Sequence, residues 1–213
     1  MRIATLLPAG VLIVWFGVHA VATAAEETTS GTTAKAPEQL VTETVAKVQK
    51  ILQDPNYADA AKKKTNREKV RTIILTVVDM KTVGMLTLAD YRKKFSEAQL
   101  ATFQELFSRL LFTNYISHLE KSSFGKVIIL RTEKPSKASL RVKTKTVTDA
   151  GETPVDFSFV QQGKNWMLYD IHIEGVSMLG NYRTQFREIL MKKSPDEFLA
   201  QLRAKVKENE ENL

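Results

Sequence analysis

The chain has 213 residues, with 31 Lys and Arg against 24 Asp and Glu, a formal net charge of +7 and no cysteine. Hydrophobic residues make up 43% and charged residues 26%, ordinary globular proportions that exclude collagen, coiled-coil and wholly disordered classes. The lack of cysteine excludes disulfides, Cys-ligated zinc, iron–sulfur clusters, thiol catalysis and lipid attachment through a thiol.

Residues 1–25 read as a cleaved secretory signal. Arg2 supplies the positive start, residues 3–20 are nearly all apolar, and Ala22-Thr23-Ala24 offers small residues for cleavage. Residues 26–36 are small and polar, a flexible leader. A single domain over residues 37–213 follows. Pro37 suits a first helical position, and Val41, Val45, Val48 and Leu52 recur at helical spacing, so residues 37–53 are predicted as an amphipathic helix. Asp54-Pro55-Asn56 ends it. Thr65 and Glu68 have capping-box spacing and predict the start of a second helix, with Val70, Ile73, Ile74, Val77 and Val78 as its stripe. Residues 80–88 form a short apolar stretch containing Gly84.

Ser96 and Gln99 form another capping box, opening the longest predicted helix, about residues 96–120. Leu100, Phe103, Phe107 and Leu110 mark one face, and Leu106, Leu111, Tyr115 and Leu119 widen it. That stripe is broader than one neighbour requires, so the helix is either central in the core or the wall of an apolar cavity.

The period then changes to two. Residues 126–133 read as a strand. Leu140, Val142, Thr144 and Thr146 alternate with Arg141, Lys143 and Lys145, and Val155, Phe157 and Phe159 alternate with Asp156 and Ser158. Met167, Tyr169, Ile171 and Ile173 alternate with Leu168, Asp170, His172 and Glu174. Pro135-Ser136, Asp149-Ala150-Gly151 and Gln162-Gly163-Lys164 are the expected turns. About four strands joined this way make an antiparallel meander. Two helices close the chain, one carrying Leu179, Tyr182, Phe186 and Leu190, the other opened by Ser194 and Glu197 and burying Phe198, Leu202 and Val206. The class is α+β, with helices against one face of the sheet.

Three constellations bear on chemistry. Asp170, His172 and Glu174 share a strand face and offer ligands for a metal, or an acid–base pair for an enzyme with Asp170 or His172 as base. Same-face strand side chains run parallel rather than converge, which favours a solvated face and no metal site. Gly175-Val176-Ser177-Met178-Leu179-Gly180 misses the nucleophile elbow because Leu179 stands where Gly is needed. It misses a phosphate loop because Asn181 stands where Lys is needed. Ser177 is more simply a helix N-cap and Gly175 a turn residue. No cofactor site is expected. Arg141, Lys143 and Lys145 project as a basic row, expected to point outward and dock an anionic partner. Nucleic acid is disfavoured because the face lacks interleaved aromatics.

The stretch from Trp166 to Phe186 holds a long pattern: Trp166, Tyr169-Asp170, Glu174-Gly175-Val176-Ser177, then Asn181-Tyr182-Arg183, Gln185 and Phe186. It resembles the signature of the MlaC/toluene-tolerance family of periplasmic phospholipid-binding proteins. Leu88 to Tyr91, followed by Gln99, Phe103, Phe107, Leu111 and Tyr115, resembles that family's central helix, although Ala89 stands where Gly usually follows the Leu. The resemblance implies a curved sheet wrapped by helices, cone-like with an apolar pocket. It implies a periplasmic carrier that shuttles phospholipid between an inner-membrane ABC transporter complex and an outer-membrane lipoprotein complex, maintaining outer-membrane asymmetry. A hopanoid-linked branch shares the motifs, so a hopanoid is the alternative ligand.

A carrier of this kind needs apolar surface beyond ordinary core demand. One sixteen-carbon chain offers roughly 12 kcal/mol of gross transfer energy at about 0.8 kcal/mol per CH₂. Candidate wall residues are Val83, Met85 and Leu86 in the short apolar stretch, and Phe107, Leu111 and Tyr115 on the long helix. Ile171, Val176, Met178, Leu179 and Phe186 complete the set from the last strand into the following helix.

Overall fold

The computed structural model describes residues 35–121 and 125–213. The expected signal segment and most of the leader lie outside the described residues. From Lys35 on, the chain forms helices α1 (Pro37–Leu52), α2 (Ala60–Leu75) and α3 (Met80–Leu88), a 3₁₀ segment (Ala89–Lys94) and the long α4 (Glu97–Lys121). Strands β1 (Lys126–Ser136), β2 (Ser139–Thr148), β3 (Gly151–Gln162), β4 (Asn165–Ile173) and β5 (Val176–Ser177) follow, then α5 (Met178–Leu190) and α6 (Pro195–Glu211). The strands pair antiparallel in chain order, β1-β2-β3-β4-β5, an open meander in an α+β fold.

The local signals explain most boundaries. Pro37 opens α1. Ser96 Oγ accepts the Gln99 N–H while the Gln99 side chain accepts the Ser96 N–H, closing the predicted box at α4. Ser194 and Glu197 do the same at α6. α2 differs from expectation. It starts at Ala60, capped by Asp59, whose carboxylate accepts the Ala61 N–H at 2.9 Å. Thr65 and Glu68 therefore lie inside it, because Ala60-Ala61-Lys62-Lys63-Lys64 are strong helix formers that extend it upstream. The apolar stretch at residues 80–88 is helix α3, capped by Asp79. A Cβ at Gly84 would sit 3.3 Å from the Phe103 ring, so this glycine lets α3 lie close on α4. Pro135 and Ser136 belong to β1 rather than to a turn. β1 is an edge strand, where a proline without N–H costs no ladder bond.

Two features set the β4 end of the sheet. Ser158 pairs with Asp170 but Phe159 pairs with Leu168, so Tyr169 is an extra bulged residue. The alternation resets there, and Leu168 joins Val142, Phe159 and Ile171 on the apolar side instead of sharing the Asp170 side. The outer edge of β4 is paired at one end by β5. At the other end the segment before α3 pairs with it, as the Leu168 N–H donates to the Val77 carbonyl at 2.8 Å and the Asp79 N–H to the Leu168 carbonyl at 3.0 Å. The β4–β5 hairpin turns on Glu174 (φ 51) and Gly175 (φ 81), with Ile173 opposite Val176, the two-residue geometry that needs positive φ at both positions.

Three apolar clusters hold these parts. α1 and the sheet bury Val41, Val142, Phe159 and Leu168. α1, α2 and α4 bury Val48, Val70 and Ile116. The largest joins α3, α4, α5 and α6 around Phe95, Phe103, Phe107, Tyr182, Phe186 and Phe198, whose ring centroids lie 5.1–6.3 Å apart. α4 thus meets neighbours on two sides, which accounts for its broad stripe.

Ala89 ends α3 at φ 49, ψ −127, a conformation that an L side chain disfavours and glycine tolerates. Relief of strain of about 1–3 kcal/mol outweighs the extra chain entropy of glycine, about 0.5–1 kcal/mol. Ala89→Gly is therefore expected to raise the melting temperature by about 2–4 °C. An unchanged or lowered melting temperature would show that this backbone is not strained.

Candidate functional site

A cavity of about 480 Å³ opens where α3, α5 and the sheet meet. Its apolar wall is Leu86, Val160, Tyr169 and Leu179, and its polar lining includes Thr82, Ser136, Ser139, Ser177, Asp170 and Arg183. Helical spacing of four brings Thr82 together with Leu86 on α3, and Leu179 with Arg183 on α5. The bulge at Tyr169 lets Tyr169 and Asp170 both reach the cavity. Tyr169 also packs against the helical core.

Asp170 is 8% exposed and ties β4 to α5. Its carboxylate accepts the Ser177 hydroxyl at 2.5 Å and the Leu179 N–H at 2.9 Å. Ser177 caps α5 as expected, accepting the Gly180 N–H at 2.8 Å. His172 Nε2 stands 3.5 Å from Asp170 Oδ2, and its Nδ1 is buried with no hydrogen-bond partner. The Ser177 proton points at Asp170 rather than at His172, so the three side chains do not form a nucleophile–base pair. Glu174 lies outside β4, in the exposed hairpin turn. The solvated face expected for Asp170 and His172 is instead largely covered, because Arg141, Lys143, Asp156 and Ser158 crowd the same side of neighbouring strands.

The basic row is engaged rather than free. Arg141 Nε donates to Ser158 Oγ at 3.2 Å, Lys143 pairs with Asp156, and Lys145 reaches Glu152 at 2.8 Å. Cross-strand register explains this, since Arg141 lies opposite Ser158 and Lys143 opposite Asp156.

The other expected wall residues scatter. Leu86 and Leu179 line the cavity. Val83, Phe107 and Phe186 are buried in the helical core, and Leu111 and Tyr115 pack against it. Ile171 packs with the sheet cluster. Val176 is 62% exposed in β5, and Met85 and Met178 are half-buried. Thr82, Ser136, Ala138, Ser139, Val160, Tyr169 and Arg183 were not expected there. The four-residue spacings on α3 and α5 were the available signal for Thr82 and Arg183.

A second cavity, about 600 Å³, lies between α2, α4 and α6 and is mostly charged, lined by Lys63, Lys64, Arg67, Arg71 and Arg109 with Glu68, Glu105 and Glu210. Its ion pairs are structural. Arg67 grips Glu120 with two bonds, at 2.7 and 2.8 Å, and Tyr57 donates to the same carboxylate at 2.7 Å. The Arg67 guanidinium holds the Glu120 carboxyl below its ordinary range, while burial and the Glu120 charge push the Tyr57 hydroxyl up.

An open antiparallel sheet backed by helices, with a part-apolar cavity at the seam, has the form of a small-molecule or lipid binding domain. The family model for the MlaC protein matches residues 42–204, and the chain belongs to the MlaC family. It is 27% identical over 173 residues to the intermembrane phospholipid transport system binding protein MlaC of Haemophilus influenzae, covering 79% of this chain and 77% of that one. Its fold is similar to that of a phospholipid-binding protein from Ralstonia solanacearum, solved in complex with a phospholipid. The TM-score is 0.72 at 18% identity, over 82% of this chain and 99% of the other.

Two outcomes follow from these contacts. Asp170→Ala strands a hydroxyl and an N–H in a covered site, and is expected to lower unfolding free energy by about 2–3 kcal/mol in a denaturant titration. Asp170→Asn, which keeps an acceptor, should cost roughly half as much. Glu120 has a lower pKa folded than unfolded. Its contribution is complete above the ordinary carboxyl value of 4.5 and is lost as pH falls through the lower folded value. Melting temperature should therefore drop below about pH 4.5, and less steeply in Glu120→Gln. Equal slopes would remove Glu120 from the acid response.

Proposed function

We propose that this chain is a periplasmic phospholipid carrier, not an enzyme. It would take acyl chains into the seam cavity between α3, β4 and α5, and exchange lipid with inner- and outer-membrane complexes. The observation that carries this is the cavity itself. Leu86, Val160, Tyr169 and Leu179 offer an apolar wall, and Thr82, Ser136, Ser139 and Arg183 offer polar groups. Family membership and the phospholipid named for both relatives support the same class of ligand.

Energetics favour binding by the chains. Each buried CH₂ contributes about 0.8 kcal/mol, so half of a sixteen-carbon chain already offers roughly 6 kcal/mol before immobilisation costs. A cavity of about 480 Å³ falls inside the usual range for ligand sites of about 300–1,000 Å³. Two full chains need more than this, so the cavity would widen on loading. In this reading the row Arg141, Lys143 and Lys145 docks by exchanging Asp156 and Glu152 for acidic groups of a membrane complex, a salt-sensitive step. The covered and engaged Asp170 carboxylate supports a binding role over a base.

Native mass spectrometry and lipid extraction of protein purified from the periplasm should find about one phospholipid per chain. A folded, empty protein that takes up no lipid from vesicles would overturn the reading. Leu86→Trp adds bulk at the cavity wall and is expected to cut lipid occupancy while the melting temperature stays within a few degrees. Unchanged occupancy would place the chains elsewhere.

A further inference from the structure

The geometry points to Arg183 as the residue that holds the phosphate group of the lipid at the cavity mouth, making a phosphate ester the preferred ligand over a neutral lipid. This inference rests on the carrier reading above and names the headgroup chemistry of the same site.

Only two charged side chains line the seam cavity, Asp170 and Arg183. The Asp170 carboxylate is already engaged by the Ser177 hydroxyl and the Leu179 N–H, at the positive end of α5. Arg183 is therefore the charged group on this lining with most of its hydrogen-bonding capacity unused among the described residues. Its Nε donates to the Leu86 carbonyl at 2.8 Å. Leu86 lies in the last turn of α3, where carbonyls lack helical partners, so this bond fixes the guanidinium between α3 and α5. The other four N–H donors have no partner among the described residues, and the exposed guanidinium leaves them available.

The guanidinium fork matches two oxygens of a phosphate, a geometry that lysine cannot reproduce. The pinned Nε reduces the ordering cost of forming those bonds. Hydroxyls surround the same opening. Ser136 and Ser139 lie 2.8 Å apart at the β1–β2 turn, and Thr82 sits one turn before Leu86. The apolar wall of Leu86, Val160, Tyr169 and Leu179 adjoins them. A ligand with an anionic head and an apolar tail fits that succession. A sterol-like or hopanoid ligand without phosphate leaves the fork unused.

Capping α3 is the competing role for Arg183, and the experiment separates the two. Full-length mature protein is titrated against vesicles carrying fluorescent phosphatidylglycerol, and separately against vesicles carrying diacylglycerol with the same chains. Wild type is expected to favour phosphatidylglycerol. Arg183→Ala should weaken phosphatidylglycerol binding about five- to thirtyfold, the worth of charge-assisted hydrogen bonds, and leave diacylglycerol binding unchanged. Arg183→Lys, which keeps the charge, should fall between. Equal loss of both lipids would assign Arg183 to the α3–α5 junction alone, and loss of neither would leave the headgroup in bulk water. Either result overturns the proposal without touching the carrier reading, whereas wild type that binds neither lipid defeats that reading first. Glycerol 3-phosphate carries the phosphate without chains. It is expected to leave the melting temperature unchanged at millimolar concentration. An Arg183-dependent rise would reassign the site to a free phosphate ester.

Discussion

The bulge at Tyr169 is the constraint on which the site depends. A strand of strict alternation would put Leu168 beside Asp170 and Tyr169 beside Ile171. One extra residue lets Leu168 and Ile171 both join the apolar cluster with Val142 and Phe159. It leaves Tyr169 for the helical core and the cavity, and turns Asp170 toward α5. Without the reset, either Leu168 would leave its cluster or Asp170 would enter it uncompensated. A buried carboxylate without partners costs far more than a local break in a ladder. The bulge therefore resolves a conflict between the apolar side of β4 and the tie it must make to α5.

That tie also decides where empty space can persist. The helical core is filled by large rings in mutual contact, so close packing leaves no comparable room there. At the seam, Tyr169 of β4 packs against the helical core that α3 and α5 share. Directional bonds add to this contact: the Asp79 N–H to the Leu168 carbonyl, Asp170 to the Leu179 N–H, and Arg183 to the Leu86 carbonyl. Hydrogen bonds fix distance at their ends and fill nothing between them. A seam spaced by polar ties at its margins can enclose a cavity with an apolar wall, whereas a seam packed with side chains cannot.

Most of the fold was legible because it is written in local chemistry. Pro37, the boxes at Ser96 and Ser194, the period-two strands and the cap at Ser177 all act within a few residues of themselves. What escaped depends mostly on distant partners, the start of α2 excepted. α2 starts at Ala60 because helix-forming Ala60 to Lys64 outweigh the box pattern at Thr65. The sheet-edge pairing of Val77 to Asp79 needs β4, 90 residues away, to be seen. The partners of Arg141, Lys143 and Lys145 come from register, which composition does not report. Of the candidate wall residues, Leu86 and Leu179 line the seam cavity. Phe107 and Phe186 lie in the helical core instead, because an apolar stripe reports burial and says nothing of whether the space beside it is full.

The signature that ties the chain to its family is mainly a set of folding instructions. Gly175 supplies positive φ for the hairpin, Ser177 caps α5, and Asp170 secures the cap. Tyr182 and Phe186 enter the ring cluster, and the Tyr182 hydroxyl, pushed up to about 12 by burial, accepts a bond from Asn114 at 2.7 Å. Asn114 in turn accepts from Asn209, so one short polar chain joins α4, α5 and α6 through an otherwise apolar core. Each of these residues has a structural partner that accounts for it. Arg183 differs. One of its five donors suffices to cap α3, and the exposed side chain also lines a cavity with an apolar wall and the hydroxyls of Thr82, Ser136 and Ser139. A cap alone calls for a single donor, and shorter side chains provide one. A planar fork held at a cavity mouth is excess to the fold, and that excess is where binding chemistry can reside without cost to stability.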